Sequence, residues 1–191
     1  MAPEPFATIV SGLPRSGTSM MMMMLEAGGL PVLTDHLRSA DQENPRGYYE
    51  YEPVKKTRSD SSWVKDAGGT VVKVVHLLLY DMPAAHSYRV VLMRRNMDEV
   101  LASQKQMLER QGQKGANMPP DRLAKIFSDQ MAKLVKWLAD QPNFQVLEVN
   151  YNQVLEDPQK QAAAINSFLA GELDADAMAA VVDNSLYRQR K

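Results

Sequence analysis

An apolar run feeding a glycine-bounded loop and then a helix leaves a chain few folds to choose from. This sequence carries one near its start, Ile9-Val10-Ser11-Gly12-Leu13-Pro14-Arg15-Ser16-Gly17-Thr18-Ser19. A loop of that form turns successive backbone N–H groups toward one point at a helix N-terminus, where unpaired donors and the helix dipole favour an anion. The spacing Gly12-x-x-x-x-Gly17 followed by Thr18-Ser19 is that of a Walker A phosphate loop except at one position. Thr18 stands where that loop has lysine, and the cation sits inside the loop instead, at Arg15. The motif implies a nucleotide-type anion and argues against ordinary ATP or GTP hydrolysis, which uses that lysine.

Three apolar, β-branched-rich stretches, 6–11, 70–75 and 88–93, have the continuous hydrophobicity of strands buried on both faces. A fourth, 144–149, alternates less cleanly and follows Pro142. Each precedes a helical pattern. The first, 18–27, carries Met20 to Met24 in an unbroken run and stops at Gly28-Gly29. Five apolar residues in a row cover every helix face, which predicts burial on most sides. The second helix spans 97–110. The third, 122–139, places Leu123, Ile126, Phe127, Met131, Leu134, Trp137 and Leu138 on one stripe. A fourth opens on Asp157 as cap with Pro158 in the first turn, and stops at Gly171.

Strands alternating with helices predict an α/β fold: a P-loop-like, three-layer α/β/α arrangement around a central parallel sheet of four to five strands. Its ligand crevice would lie at the strand C-termini. The 191 residues suit a single domain over 1–191, without linker or repeat. Loops at 34–49 and 111–120 interrupt the rhythm and are candidates for substrate contacts or a lid.

Composition narrows the function further. Hydrophobic residues at 45% and charged residues at 24% are those of a soluble globule, and a net charge of -1 gives no footprint for nucleic acid or an anionic membrane. There is no cysteine, so no disulfide, thiolate metal site or thiol nucleophile. The three histidines, His36, His76 and His86, are dispersed, which speaks against zinc. No run is long enough to span a membrane, and Met1-Ala2-Pro3-Glu4-Pro5 lacks the basic start of a signal peptide. The expected compartment is the cytoplasm.

Leu13-Pro14-Arg15-Ser16-Gly17-Thr18-Ser19 resembles the 5′-phosphosulfate loop of the sulfotransferases, in the arginine-containing version of Golgi and bacterial members. The segment from Val90 to Ser103 is similar to the family's 3′-phosphate motif, in which an Arg at a strand end is followed eight residues later by Ser; Arg95 and Ser103 match it. A third match runs from Val149 through Tyr151, Leu155, Asp157 and Pro158 to Phe168-Leu169. The three matches span most of the chain in the family's order. Two features depart from that pattern: the chain is short for the family, and Tyr187-Arg188-Gln189-Arg190-Lys191 offers cations without the Gly-rich basic loop of cytosolic members.

The resemblance implies an enzyme that passes the sulfuryl group of 3′-phosphoadenosine 5′-phosphosulfate (PAPS) to an acceptor oxygen or nitrogen and releases the 3′,5′-bisphosphate PAP. No metal is implied. Pro14, Arg15, Ser16, Gly17, Thr18 and Ser19 would cradle the 5′-phosphate, with Arg15 stabilising the leaving group. Arg95 and Ser103 would bind the 3′-phosphate, and Tyr151 would approach the adenine. His76 is the first candidate for the base, with Lys73 beside it, by likeness to a Lys-x-His-Leu-Pro element. Strand alternation would turn those two side chains to opposite faces unless the strand ends between them. Asp35, His36 and Glu50 are the other candidates. Two further readings compete: a P-loop kinase-like phosphotransferase, disfavoured by Thr18, and a non-catalytic PAP-binding module. The acceptor, the oligomeric state and the pathway are not legible in the sequence.

Overall fold

The first strand divides its side chains between two cores. The computed structural model describes residues 6–35, 47, 49–110, 112–113 and 118–183. Strand β1, Ala7–Gly12, is buried along its whole length. Ile9 faces one core with Val72, Val90 and Leu92, and Val10 faces the other with Val71, Val91 and Met93. Full burial on both faces is what an inner strand of a covered parallel sheet requires, and it explains why the run reads as continuously apolar. The other strands are β2, Val71–Lys73, β3, Tyr88–Arg94, and β4, Phe144–Asn150. All pairings are parallel and the order is β2-β1-β3-β4.

Helices cover both faces, giving the three layers. On one face lies α1, Thr18–Ala27, whose Met21, Met22, Met24 and Leu25 are fully buried. Each such side chain contributes roughly 1.5–3 kcal/mol relative to exposure. Met20 and Met23, by contrast, border a cavity described below. On the other face, α2, Met97–Arg110, inserts Val100, and α3, Pro120–Ala139, inserts Met131, Leu134 and Leu138. The first face is completed by α5, Pro158–Phe168, and α6, Ala175–Ala180, through Ala162, Ile165 and Met178.

From β1 the chain moves to β2 on one side, then crosses to β3 on the other. The connections leaving β1 and β3 therefore part, and a crevice opens between them at the strand C-termini.

The structure differs from the sequence reading directly after two of the strands. Strand β2 ends at Lys73, two residues before the β-branched run does. Val74 N–H still donates to Val10 O at 3.0 Å, after which a 3-10 turn, His76–Asp81, takes over. A short helix, α4, Tyr151–Glu156, follows β4 directly, with the Asn150 side chain accepting from the Asn152 and Gln153 amides. The Asp157 cap is as expected, its carboxylate accepting from Lys160 N–H at 3.0 Å. Much of the 34–49 and 111–120 loops, with His36, and the basic residues after 183 lie outside the described residues.

Candidate active site

The loop between β1 and α1 is shaped by three left-handed residues. Gly12 has φ 150°, and a Cβ there would lie 2.6 Å from Ser16 Oγ and 2.8 Å from Met93 O. Gly17 has φ 100°, and a Cβ would lie 2.4 Å from the Tyr151 ring. Both positions combine a conformation that disfavours L side chains with a lack of room for one. Arg15 adopts φ 71° as a non-glycine, a strained state that surrounding contacts must hold. Ser16 N–H closes a turn onto Leu13 O at 3.1 Å, and the Ser16 hydroxyl is buried with no partner among the described residues. Ser16 thus faces the protein, whereas Gly17, Thr18 and Ser19 border the cavity. Gly17, at the N-cap, has no side chain to cap α1, so among the described residues the first N–H groups of the helix face a ligand site without a capping side chain.

Contacts across the switch point hold Arg15. Its Nε donates to Ser103 Oγ at 2.8 Å, and Arg95 Nη1 donates to the Arg15 carbonyl at 3.1 Å. Arg95 also bonds Glu99 through Nε at 2.9 Å, both side chains nearly buried, and Asn152 Nδ2 donates to the other Glu99 oxygen at 3.1 Å. The Arg95 guanidinium lies 4.4 Å from the centroid of the Tyr151 ring. Burial raises the Tyr151 phenol above its ordinary pKa, while the Arg95 charge pulls the other way. Asn96 precedes α2, its side chain accepting from Asp98 N–H at 2.9 Å. The sequence reading missed Glu99 and Asn152. Their only signal was the four-residue spacing from Arg95 to Glu99, one helical turn.

Around this network lies a cavity of about 450 Å³, within the range of small-molecule sites. Pro14, Arg15, Arg95, Ser103, Tyr151, Lys73 and Glu50 are among the residues that line it. His76 and Asp35 do not line it. His76 is buried, its Nε2 3.3 Å from Gln130 Oε1, and its Nδ1 makes no well-aligned hydrogen bond among the described residues. Burial pushes its imidazole below the ordinary pKa, with Gln130 and the Gly12 backbone opposing. Because β2 stops at Lys73, strict alternation no longer relates Lys73 to His76; even so, only Lys73 borders the cavity. The Asp35 carboxylate is engaged by Glu52 N–H at 2.6 Å. Arg94 pairs with Glu148 on β4 at 3.4 Å and does not line the cavity. Among the described residues no group of three or more His, Asp or Glu side chains could hold a metal, and no helix is long and apolar enough to cross a membrane.

The model of the family described as "Sulfotransferase domain" matches residues 5–191. Among solved structures, the chain is similar to the sulfotransferase domain from the curacin biosynthetic pathway, at 15% identity and a TM-score of 0.54, over 94% of this chain and 83% of that one. The sulfotransferase domain of the olefin synthase of Synechococcus PCC 7002 is similar at 16% identity and 0.55, over 98% and 82%. A sulfotransferase from Alicyclobacillus acidocaldarius is similar at 13% and 0.53, over 90% and 82%. At these identities the likeness is one of fold. No curated protein matches the chain.

Proposed function

The chain belongs to the sulfotransferase domain family, and from that premise we propose that it transfers the sulfuryl group of PAPS to a hydroxyl or amine acceptor and releases PAP. The observation that carries this reading is the convergence in one cavity of the uncapped α1 terminus with Arg15, Arg95 and Ser103. The fit to a bisphosphorylated nucleotide is chemical. Open amides and hydroxyls at Gly17, Thr18 and Ser19 suit one phosphate, and a guanidinium and a hydroxyl reached from β3 and α2 suit a second.

PAPS supplies the activated sulfuryl group; the chain's own residues bind it and stabilise charge. The α1 amides would hold the 5′-phosphate, with Arg15 and Lys73 facing the charge that develops on the leaving oxygen. Arg95 and Ser103 would take the 3′-phosphate, and Tyr151 would border the adenine. Ser16 contributes by setting the turn. Its hydroxyl faces the core, so its role in the loop is conformational.

The test is a thermal shift with PAP beside ADP and Mg·ATP, on the wild type and Arg15→Ala. PAP at a hundred times its Kd should stabilise by about 2.7 kcal/mol, which raises Tm by roughly 5–10 °C in a domain of this size. In Arg15→Ala the shift should shrink only partly, while turnover falls about 10²–10³-fold. A shift with Mg·ATP and none with PAP would sink the sulfotransferase reading in favour of a kinase. A PAP shift with no turnover under any acceptor would favour a binding module.

A further inference from the structure

Transfer to a neutral oxygen leaves a proton that must be taken up beside the reacting atoms. Among the groups the sequence offers for it, Glu50 is set apart by its surroundings. It borders the cavity, and its side chain is 23% exposed. Its backbone is held from two sides, with the Glu50 carbonyl accepting from Thr34 Oγ1 at 2.8 Å and from Asp35 N–H at 3.2 Å. Tyr49, just before it, is in the left-handed region at φ 52° and is tied through its hydroxyl to Glu26 of α1. Strain of that kind persists where contacts over-determine the conformation, and here they fix the origin of one carboxylate. Lys55 Nζ lies 3.4 Å from that carboxylate and also pairs with Glu52. Asp35, by comparison, spends its carboxylate on the Glu52 amide, and His76 is packed against Gln130 away from the cavity lining.

Beside Glu50 the lining carries the apolar side chains of Tyr51, Val54, Val74, Val75 and Leu78, with Lys55 and Lys73 among them. This wall is also braced. Tyr51 meets Trp63 edge-on at 6.2 Å, and the Trp63 N–H donates to the Thr57 hydroxyl at 3.1 Å. An alcohol with an apolar body would cover these apolar side chains, whereas each further hydroxyl of a polyhydroxylated acceptor set against them would give up its bond to water. Resting on the donor reading above, we propose that Glu50 is the proton acceptor of the transfer, and that the acceptor is a neutral alcohol whose apolar body lies along this wall. The alcohol oxygen forms the new S–O bond as its proton passes to the Glu50 carboxylate. The S–O bond to the 5′-phosphate breaks, and its electron pair leaves on the phosphate oxygen of PAP. Glu50 then returns the proton to solvent.

The experiment measures PAP release from PAPS with 1-octanol, ethanol or glucose as acceptor, and thermal shifts of the PAP complex with the same compounds. 1-Octanol should raise both turnover and the melting temperature of the PAP complex more than ethanol does, and glucose should raise neither. Glu50→Gln should lose about 10²–10⁴-fold in octanol-dependent turnover while keeping the shifts with PAP and octanol. Glu50→Asp should recover part of that turnover, and the acid limb of the wild-type kcat profile should be absent in Glu50→Gln. Turnover by Glu50→Gln at the wild-type rate would overturn the base assignment, decisively so if His76→Asn loses turnover. Glucose acting where octanol does not, or no effect of octanol on a wild type that binds PAP, would overturn the acceptor class. Failure of the wild type to bind PAP would instead remove the donor reading, a different result from the same wells.

Discussion

Arg95 faces demands from several partners at once. It bonds the Arg15 carbonyl, it is neutralised by Glu99, and in the proposed function it meets the 3′-phosphate. Removing one partner of a buried ion pair leaves a charge uncompensated, at a cost of about 3–5 kcal/mol. Glu99→Gln should therefore lower the Tm of the free protein by roughly 6 °C or more, at about 2–4 °C per kcal/mol. The same change removes a carboxylate that repels an incoming phosphate, so the Tm rise with PAP should exceed that of the wild type. A PAP shift equal to or below the wild-type one would show that Glu99 does not compete for Arg95. Arg15 is legible in the loop's own spacing, whereas Arg95 and Ser103 are singled out by the resemblance alone, and the fold brings all three together. Glu99 and Asn152 were not legible, since a Glu in a first helical turn is favoured by the helix dipole and an Asn beside a cap is ordinary. Only the fold brings both to the same guanidinium.

Among the elements, the strands and longer helices follow from hydrophobic pattern and caps, and the departures sit where the pattern keeps going after its cause has stopped. Val74 and Val75 extend the β2 run, yet the ladder ends at the Val10–Lys73 pair as the chain turns toward the 3-10 segment, while β1 continues to Gly12 beside β3. The 3-10 turn that replaces it spans six residues, too few for a helical period to register. Helix α4 was hidden for a similar reason, wedged between β4 and the Asp157 cap. The α5 cap, by contrast, is a purely local device, and it lies away from the cavity lining. Asp157→Ala should cost about 1 kcal/mol, or roughly 2–4 °C in Tm, because Lys160 N–H loses its acceptor. The PAP shift should be unchanged. A reduced shift would mean that α5 and the nucleotide loop are coupled in a way the cap bond alone does not account for.

At the scale of the molecule, the buried His76 links the end of the sheet to the helical layer that holds α3. It opens the turn after β2, touches Gln130 on α3 and lies near the Gly12 backbone where β1 enters the loop. Burial lowers its pKa from the ordinary 6.5, against weaker opposition from Gln130 and Gly12. Above 6.5 the ring is neutral in folded and unfolded chains alike, and it contributes no pH dependence. Between 6.5 and the lower folded value, the unfolded chain binds a proton that the folded chain refuses, so stability falls as pH falls through that window. Each unit of lowering corresponds to about 1.4 kcal/mol once the window is crossed. Melting curves from about pH 8 to pH 5, wild type against His76→Asn, isolate this contribution from the carboxylates that titrate in both proteins. The stability of the wild type relative to the variant should decline on acidification and level off below the folded pKa. A difference that stays flat, or that grows as the pH falls, would mean the imidazole takes its proton without cost in the folded chain. His76 would then be in contact with solvent or with an acceptor, and its claim on the transferred proton would revive against that of Glu50.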